Sequence, residues 1–398
     1  MGLPGNEMQT TPGLVQSIRS KLNGGDLGLL PVIIALFVIW IVFQAVNGHF
    51  LSGRNLTNLI LQIAEIGMLG IGETLILLLG EIDLAIASIS GVAAAVLVLL
   101  SVAGVNPWLC ILAAIASGAV LGLFQGFWVN FIGVPAFIVT LAGSLGYQGI
   151  ILSMLGQDGT VNILNSTLLS IATAYIPAVE GWILAVVVVA VYATVLIRNR
   201  RARQKRMLAV SGKSIEIARI VAVAFLSAAV VGVLNTYRGL PASGLILLLF
   251  VGFFALLTQS TLFGRHIFAI GGNAEAARRA GINVRKIRTL VFTISGALGA
   301  VGGVLGASRL GSASPASGGG NLLLDSIAAA VIGGTSLFGG RGRVINALAG
   351  ALVIGSVENG MDLLSAPSST KYVVEGAILL IAVTIDTMTR KRRAQTGK

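Results

Sequence analysis

Apolar residues in this chain come in long runs rather than in alternation. Runs near the length that crosses a bilayer recur throughout, among them LLPVIIALFVIWIVFQAV (29–46), GWILAVVVVAVYATVLI (181–197) and GLILLLFVGFFALL (244–257). Such runs predict helices, because a transmembrane barrel strand shows only about ten residues of alternating polarity. Backbone groups in hydrocarbon must also be satisfied within the segment, which a helix does by itself. The pattern therefore predicts an all-α, polytopic helical membrane protein with about 10–12 transmembrane or partly re-entrant segments, the spread coming from runs broken by glycine.

Composition agrees. Of 398 residues, 55% are hydrophobic and 11% charged, with a mean hydropathy of +0.92, against roughly 25% charged in a soluble domain. The first run follows a polar head and is long enough to stay as an anchor, so no cleavable signal peptide is expected. The net charge of +12 does not point to nucleic acid. Its basic residues flank apolar runs without interleaved aromatics: Arg19 and Lys21, RNRRARQKR (198–206), Arg278 to Arg288, and RKRR (390–393). With Cys110 as the single cysteine and only His49 and His266, no internal disulfide, metal centre or nucleophilic triad is expected, so no enzyme activity either.

If every basic cluster faces the cytoplasm, both termini do too and the number of crossings is even. Runs near 29–46, 56–80, 84–104, 107–127, 134–155 and 181–197 return the chain to the inside at Arg198, and runs near 217–235 and 243–261 return it again before residue 264. Runs near 296–307, 322–338, 345–363 and 373–388 follow, the second of them short and broken by Gly333, Gly334, Gly339 and Gly340. This divides the chain into a cytoplasmic N-terminal segment (1–28), a transmembrane domain (29–389) with a basic loop at 198–216 and a second cytoplasmic loop at 262–288, and a basic tail (390–398). The outward connections are short (47–55, 156–167, 236–241, 310–321), so a dilute solute would be captured by another subunit. Gly299/Gly303 and Gly302/Gly306 have the spacing that lets helices approach closely.

SGKS (211–214) imitates the end of a phosphate-binding loop, but Met207 stands where the first glycine should be. No nucleotide site is expected in the chain, so any ATP and Mg would sit in a partner. Acids inside apolar runs are costly and draw attention: Glu65, Glu73, Glu81, Asp83, Asp325, Glu358, Asp362 and Glu375. Those near run ends read as caps or ion-pair partners. Glu65 and Glu73 lie deeper, about 80° apart around a helix, and support an alternative in which the protein is an ion-coupled secondary transporter. Gln62, Gln125, Asn130, Thr140 and Gln148 are candidates to line a neutral path for a hydroxylated solute, interhelical hydrogen bonding being the other reading.

GRHIFAIGGNAEAARRAGI (264–282) is a polar island between apolar runs. Asn273 can cap a short helix, Glu275 sits near its positive end, Arg278 and Arg279 near its negative end, and Gly281 stops it. Ala276, Ala277 and Ala280 would offer a smooth face for another protein to approach.

This island, followed by IAAAVIGGTSLFGGRG (327–342), resembles the inner-membrane permease subunits of bacterial ABC importers for monosaccharides, the ribose/xylose/galactose branched group. GEIDLAIASISG (80–91) and VPAFIVTLAG (134–143) resemble further stretches of that family, although Glu81 replaces a usual Gly and Ala85 a usual Ser. The long basic insert is closest to xylose-type members. The resemblance implies a multi-pass protein of the bacterial cytoplasmic membrane that acts with a second permease copy, an extracytoplasmic sugar-binding protein and a cytoplasmic ABC ATPase. It also implies that Gly271, Gly272, Asn273, Glu275, Ala276, Ala277, Arg278 and Gly281 dock that ATPase, Glu275-Ala276-Ala277 with Gly281 resembling the core of other importers' coupling loops.

Overall fold

The computed structural model describes residues 30–156, 159–207, 210 and 212–395. The expected N-terminal segment at 1–28 and the last three residues of the basic tail lie outside them. The first helices are α1 (Leu30–Val46), α2 (Gly53–Leu78), α3 (Ile86–Val102), α4 (Pro107–Phe127), which runs on into one π turn at Trp128–Ile132, α5 (Ala136–Leu155) and α6 (Ser166–Thr173). A pair, α7 (Ala178–Lys205) and α8 (Lys213–Leu234), comes next. After it follow α9 (Ala242–Ser260), α10 (Leu262–Gly272), α11 (Ala274–Arg279), α12 (Val284–Leu310), α13 (Leu322–Ile332), α14 (Val344–Leu363) and α15 (Ser368–Gln395). Beyond helices, the larger unit has a two-residue antiparallel bridge in which Val161 pairs with Ala313 and Asn162 with Ser312.

The chain forms two compact units. Among the described residues, the smaller is the α7–α8 hairpin, within Ile176–Leu240, and the larger holds α1 to α6 and α9 to α15. In the hairpin, helix continues through the arginine-rich stretch to Lys205 and resumes at Lys213. The expected basic loop at 198–216 is thus mostly helical, because Arg, Lys and Gln are good helix formers once a helix is under way. Arg200 Nη1 donates to Glu216 Oε2 at 2.6 Å, tying the two arms together.

Within the larger unit, α2, α12 and α14 are central, with 78, 72 and 67% of their apolar windows buried, whereas α4 and α5 bury 22% each. Peripheral helices turn Trp108, Leu112, Phe124 and Leu145 outward, as expected of surfaces that face lipid. Ser52 starts α2 by accepting from the Asn55 amide. Glycine lets neighbouring helices touch backbone to backbone. A Cβ on Gly118 or Gly122 of α4 would come within 2.4 Å of Gly296 O or 2.2 Å of Phe292 O on α12. The two expected pairs on α12 serve different neighbours. A Cβ on Gly303 would meet Ser90 O of α3 at 2.0 Å, while one on Gly302 would meet Leu69 of α2 at 2.2 Å.

Among the described residues, eight helices are long and apolar enough to cross a membrane, and three shorter apolar helices lie at Leu30–Val46, Ile86–Val102 and Leu322–Ile332. The last matches the broken run expected near 322–338. Its 11 residues reach roughly 17 Å, about half the hydrocarbon thickness, before the chain turns through Gly334, Gly339 and Gly340, all at positive φ.

Candidate functional site

Two features at opposite ends of the larger unit carry chemistry. At one end, the polar island folds as α10 and α11. Asn273 Oδ1 accepts from the Ala276 amide at 2.9 Å, and Gly281, at φ +85°, ends the segment. Glu275 pairs with Arg278 at 2.9 Å and Arg279 at 3.3 Å across one exposed turn. Ala276 and Ala280 are exposed, but Ala277 is 5% exposed and packs in one core with Ile267, Ile270, Leu78, Val284 and Ile287. The expected three-alanine outer face is therefore two alanines, the third being the anchor that seats the turn.

Gly271 and Gly272 close α10 and behave differently. A Cβ on Gly271 would lie 1.8 Å from Leu78 O and 2.6 Å from Gly340 N, whereas one on Gly272 would meet nothing within 4 Å. Gly340 N donates to Leu78 O at 3.0 Å. Three chain segments, 78–81, 270–272 and 338–340, therefore cross at backbone contact. Beside this junction Arg288 Nη2 lies 3.0 Å from Glu81 Oε1. Burial pushes the Glu81 carboxyl above its ordinary range, and Arg288 opposes the shift. Asp83, fully buried, accepts from the Ala85 amide at 2.9 Å immediately before α3.

At the other end, α2, α12, α13, α14 and the 316–321 connection enclose a polar cavity of about 230 Å³, lined among others by Gln62, Glu65, Arg309, Asn321, Asp325 and Glu358. A second cavity of about 440 Å³ shares Gln62 and Arg309 with it and adds Asn55, Asn58, Asn359 and Asp362. Side chains of α2 and α14 form a ladder along it. Asn55 Nδ2 donates to Asn359 Oδ1 at 2.7 Å, Asn359 Nδ2 to Gln62 Oε1 at 3.0 Å, and Gln62 Nε2 to Asp362 Oδ2 at 3.3 Å. Lys371 pairs with Asp362, and Asn321 Nδ2 donates to Glu375.

Of the five expected lining residues, Gln62 alone reaches these cavities. Asn130 Nδ2 bridges Gly126 O and Thr289 Oγ1, Thr140 bonds to Ala136 O and Ile82 O, and Gln148 donates to Pro315 O at 2.6 Å. Gln125 is fully buried. Only Asn130 bonds to another helix; Thr140 and Gln148 bond to backbone carbonyls, and the Gln125 side chain has no hydrogen-bond partner among the described residues. Arg309, Asn321 and Asn359 were not singled out by sequence. Arg309, a charge inside the glycine-rich run that opens the 310–321 connection, was the available signal. The two deep acids also separate. Glu65 lies 3.8 Å from Arg309 at the cavity, while Glu73 is fully buried and neither of its oxygens has a hydrogen-bond partner among the described residues.

Apolar helices of spanning length around a polar interior, with an exposed polar turn at one end, define a multi-pass membrane transport subunit. The chain belongs to the family described as the permease component of the branched-chain amino acid transport system, whose model matches residues 55–383. It is 40% identical to the xylose transport system permease protein of Haemophilus influenzae, over 94% of this chain and 99% of that one. It is 38% identical to the protein of the same name from Escherichia coli over 94 and 95%, and 30% identical to the ribose import permease protein of Bacillus subtilis over 91 and 92%. No solved structure matches it. The protein is a multi-pass inner-membrane permease.

Proposed function

We propose that this chain is the membrane-spanning permease subunit of an ATP-driven importer of xylose or a related monosaccharide. It works beside a second copy of itself, receives sugar from an extracytoplasmic binding protein and is driven by a cytoplasmic ABC ATPase that holds the ATP and Mg. The observation that carries this reading is likeness to xylose and ribose permeases along nearly the whole chain. The geometry gives it a mechanism. The exposed turn of α11, with Glu275, Ala276, Arg278 and Gly281 around Asn273, is the ATPase contact, and both termini face the cytoplasm with it. Movement there passes through the glycine junction into α2 and through Ala277 into α12, and these two helices carry Gln62, Glu65 and Arg309 at the cavity. ATP supplies the work, and the permease supplies a polar path without a cofactor or metal of its own.

Uptake by proteoliposomes containing permease, ATPase and binding protein tests the proposal. Pentose uptake should require all three and ATP; uptake that survives on an ion gradient with ATPase and binding protein removed would establish the secondary-transporter alternative. Docking has a separate test. Glu275→Arg and Ala276→Trp, both at exposed positions, should abolish co-purification of the ATPase while leaving the permease folded. Undiminished co-purification in both would refute the contact.

A further inference from the structure

We infer that the 230 Å³ cavity is a hydroxyl-binding subsite for a neutral monosaccharide within the permease itself; this rests on the sugar-import reading. Asp325 is 3% exposed, lines the cavity, and its carboxylate has no hydrogen-bond or ion-pair partner among the described residues. A buried carboxylate is costly unless something donates to it. Across the same cavity, Arg309 Nε is buried and without an acceptor. The guanidinium stands 3.8 Å from Glu65, beyond hydrogen-bond length.

The cavity thus contains a strong acceptor lacking a donor and a strong donor lacking an acceptor. A metal cation would satisfy only Asp325, and an anion only Arg309. With Glu65, Asp325 and Glu358 against one Arg309 on the walls, an anion is repelled as well. A polyol satisfies both, because each hydroxyl donates once and accepts twice. Size agrees: the volume equals roughly eight waters at ~30 Å³ each, enough for one five- or six-carbon ring and too little for two. Gly306 makes the space, since a Cβ there would fall 2.4 Å from Glu65 Oε1 and push that carboxylate aside. Among the described residues no aromatic ring lines the cavity, so the site lacks a stacking platform and binds weakly. A transit station needs this, because sugar held tightly would not leave.

The test uses the permease–ATPase complex in detergent without binding protein, and proteoliposomes of the complete system. Saturation transfer from protein to millimolar D-xylose should appear in the wild type and fall about tenfold in Asp325→Leu and Arg309→Gln, the loss of one charged hydrogen bond. The isosteric Asp325→Asn, checked by melting, should keep the fold and alter the ranking of xylose against its epimers, a change that a purely structural residue would not produce. Uptake by the complete system should fall in the two disruptive variants. Equal saturation transfer in wild type and both disruptive variants would overturn the subsite, as would displacement of xylose by millimolar sodium or calcium chloride. A wild-type system without ATP-driven sugar uptake would instead overturn the import reading.

Discussion

Adding one methyl group at Gly271 should disable the glycine junction, while the same change at Gly272 should do almost nothing. The Gly271 Cβ would sit 1.8 Å from Leu78 O, against 3.4 Å for ordinary contact, so backbone must move by about 1.6 Å. Overpacking of this kind costs about 1–3 kcal/mol. Separating Leu78 O from Gly340 N, now at 3.0 Å, costs about 1–3 kcal/mol more if both stay buried. Higher helix propensity of alanine returns about 0.5–1 kcal/mol. Gly271→Ala should therefore destabilise by roughly 1–5 kcal/mol, and Gly272→Ala, with open space around it, should be neutral or slightly stabilising. The protein provides its own reporter. Cys110 is the only cysteine and is buried, so a thiol-reactive fluorophore reads unfolding on heating. Gly271→Ala should melt well below wild type, and where it remains folded, ATP hydrolysis should continue with sugar uptake impaired. A Gly271→Ala protein that melts and transports as wild type would refute the junction as a structural link.

Asn273→Ala should remove the α11 cap at a cost of about 1 kcal/mol and weaken ATPase capture, with Asn273→Asp retaining it; equal capture by all three proteins would show that the cap is dispensable. Glu81→Arg and Arg288→Glu should each impair the protein and together restore it, with a coupling energy of up to about 1 kcal/mol for this partly exposed pair; strictly additive effects would deny the interaction. Glu73→Met should leave the melting temperature unchanged or raised, because it replaces a buried carboxylate without hydrogen-bond partners among the described residues by an apolar chain of similar size. A folded Glu73→Met permease with no uptake would return support to the ion-coupled alternative.

The parts legible in the sequence are those set by short-range rules. A run of about twenty apolar residues nearly suffices for a spanning helix, and Asn273 and Gly281 lie close enough in sequence to mark the ends of α11. Direction within a short turn is another matter. Six residues give too few apolar positions to define a face, so Ala277 could not be separated from Ala276 and Ala280 before its burial in the core that holds Ile267, Ile270 and Val284 was known. Gln125, Asn130, Thr140 and Gln148 illustrate the same loss of information in a span. A polar side chain among apolar ones needs a partner, and sequence does not say whether that partner is water, sugar or another helix. The cavity was beyond reach because Glu65 and Arg309 lie 244 positions apart, brought together by helix packing that depends on Gly302 and Gly306.

That packing also decides how an impulse at the α11 turn could reach the cavity. α2 runs from the glycine junction at Leu78 to Glu65 and Gln62, while α12 runs from Ile287, packed in the core that holds Ala277, to Arg309. The stretch of α12 from Val284 to Arg309 is roughly 38 Å long, and a helix of that length behaves as a stiff rod. The two rods touch where a Cβ on Gly302 or Gly306 would strike Leu69 or Glu65, so neither can slide past the other without moving the Glu65 carboxylate. Proposed energy transfer therefore needs no chain of rotamer changes. A small tilt of α12 against α2, started at Ala277, changes the separation of Glu65 and Arg309 directly. A pair that already stands at 3.8 Å is loose enough to be opened by such a tilt and close enough to re-form, which is what alternating access asks of the polar groups around a passing sugar.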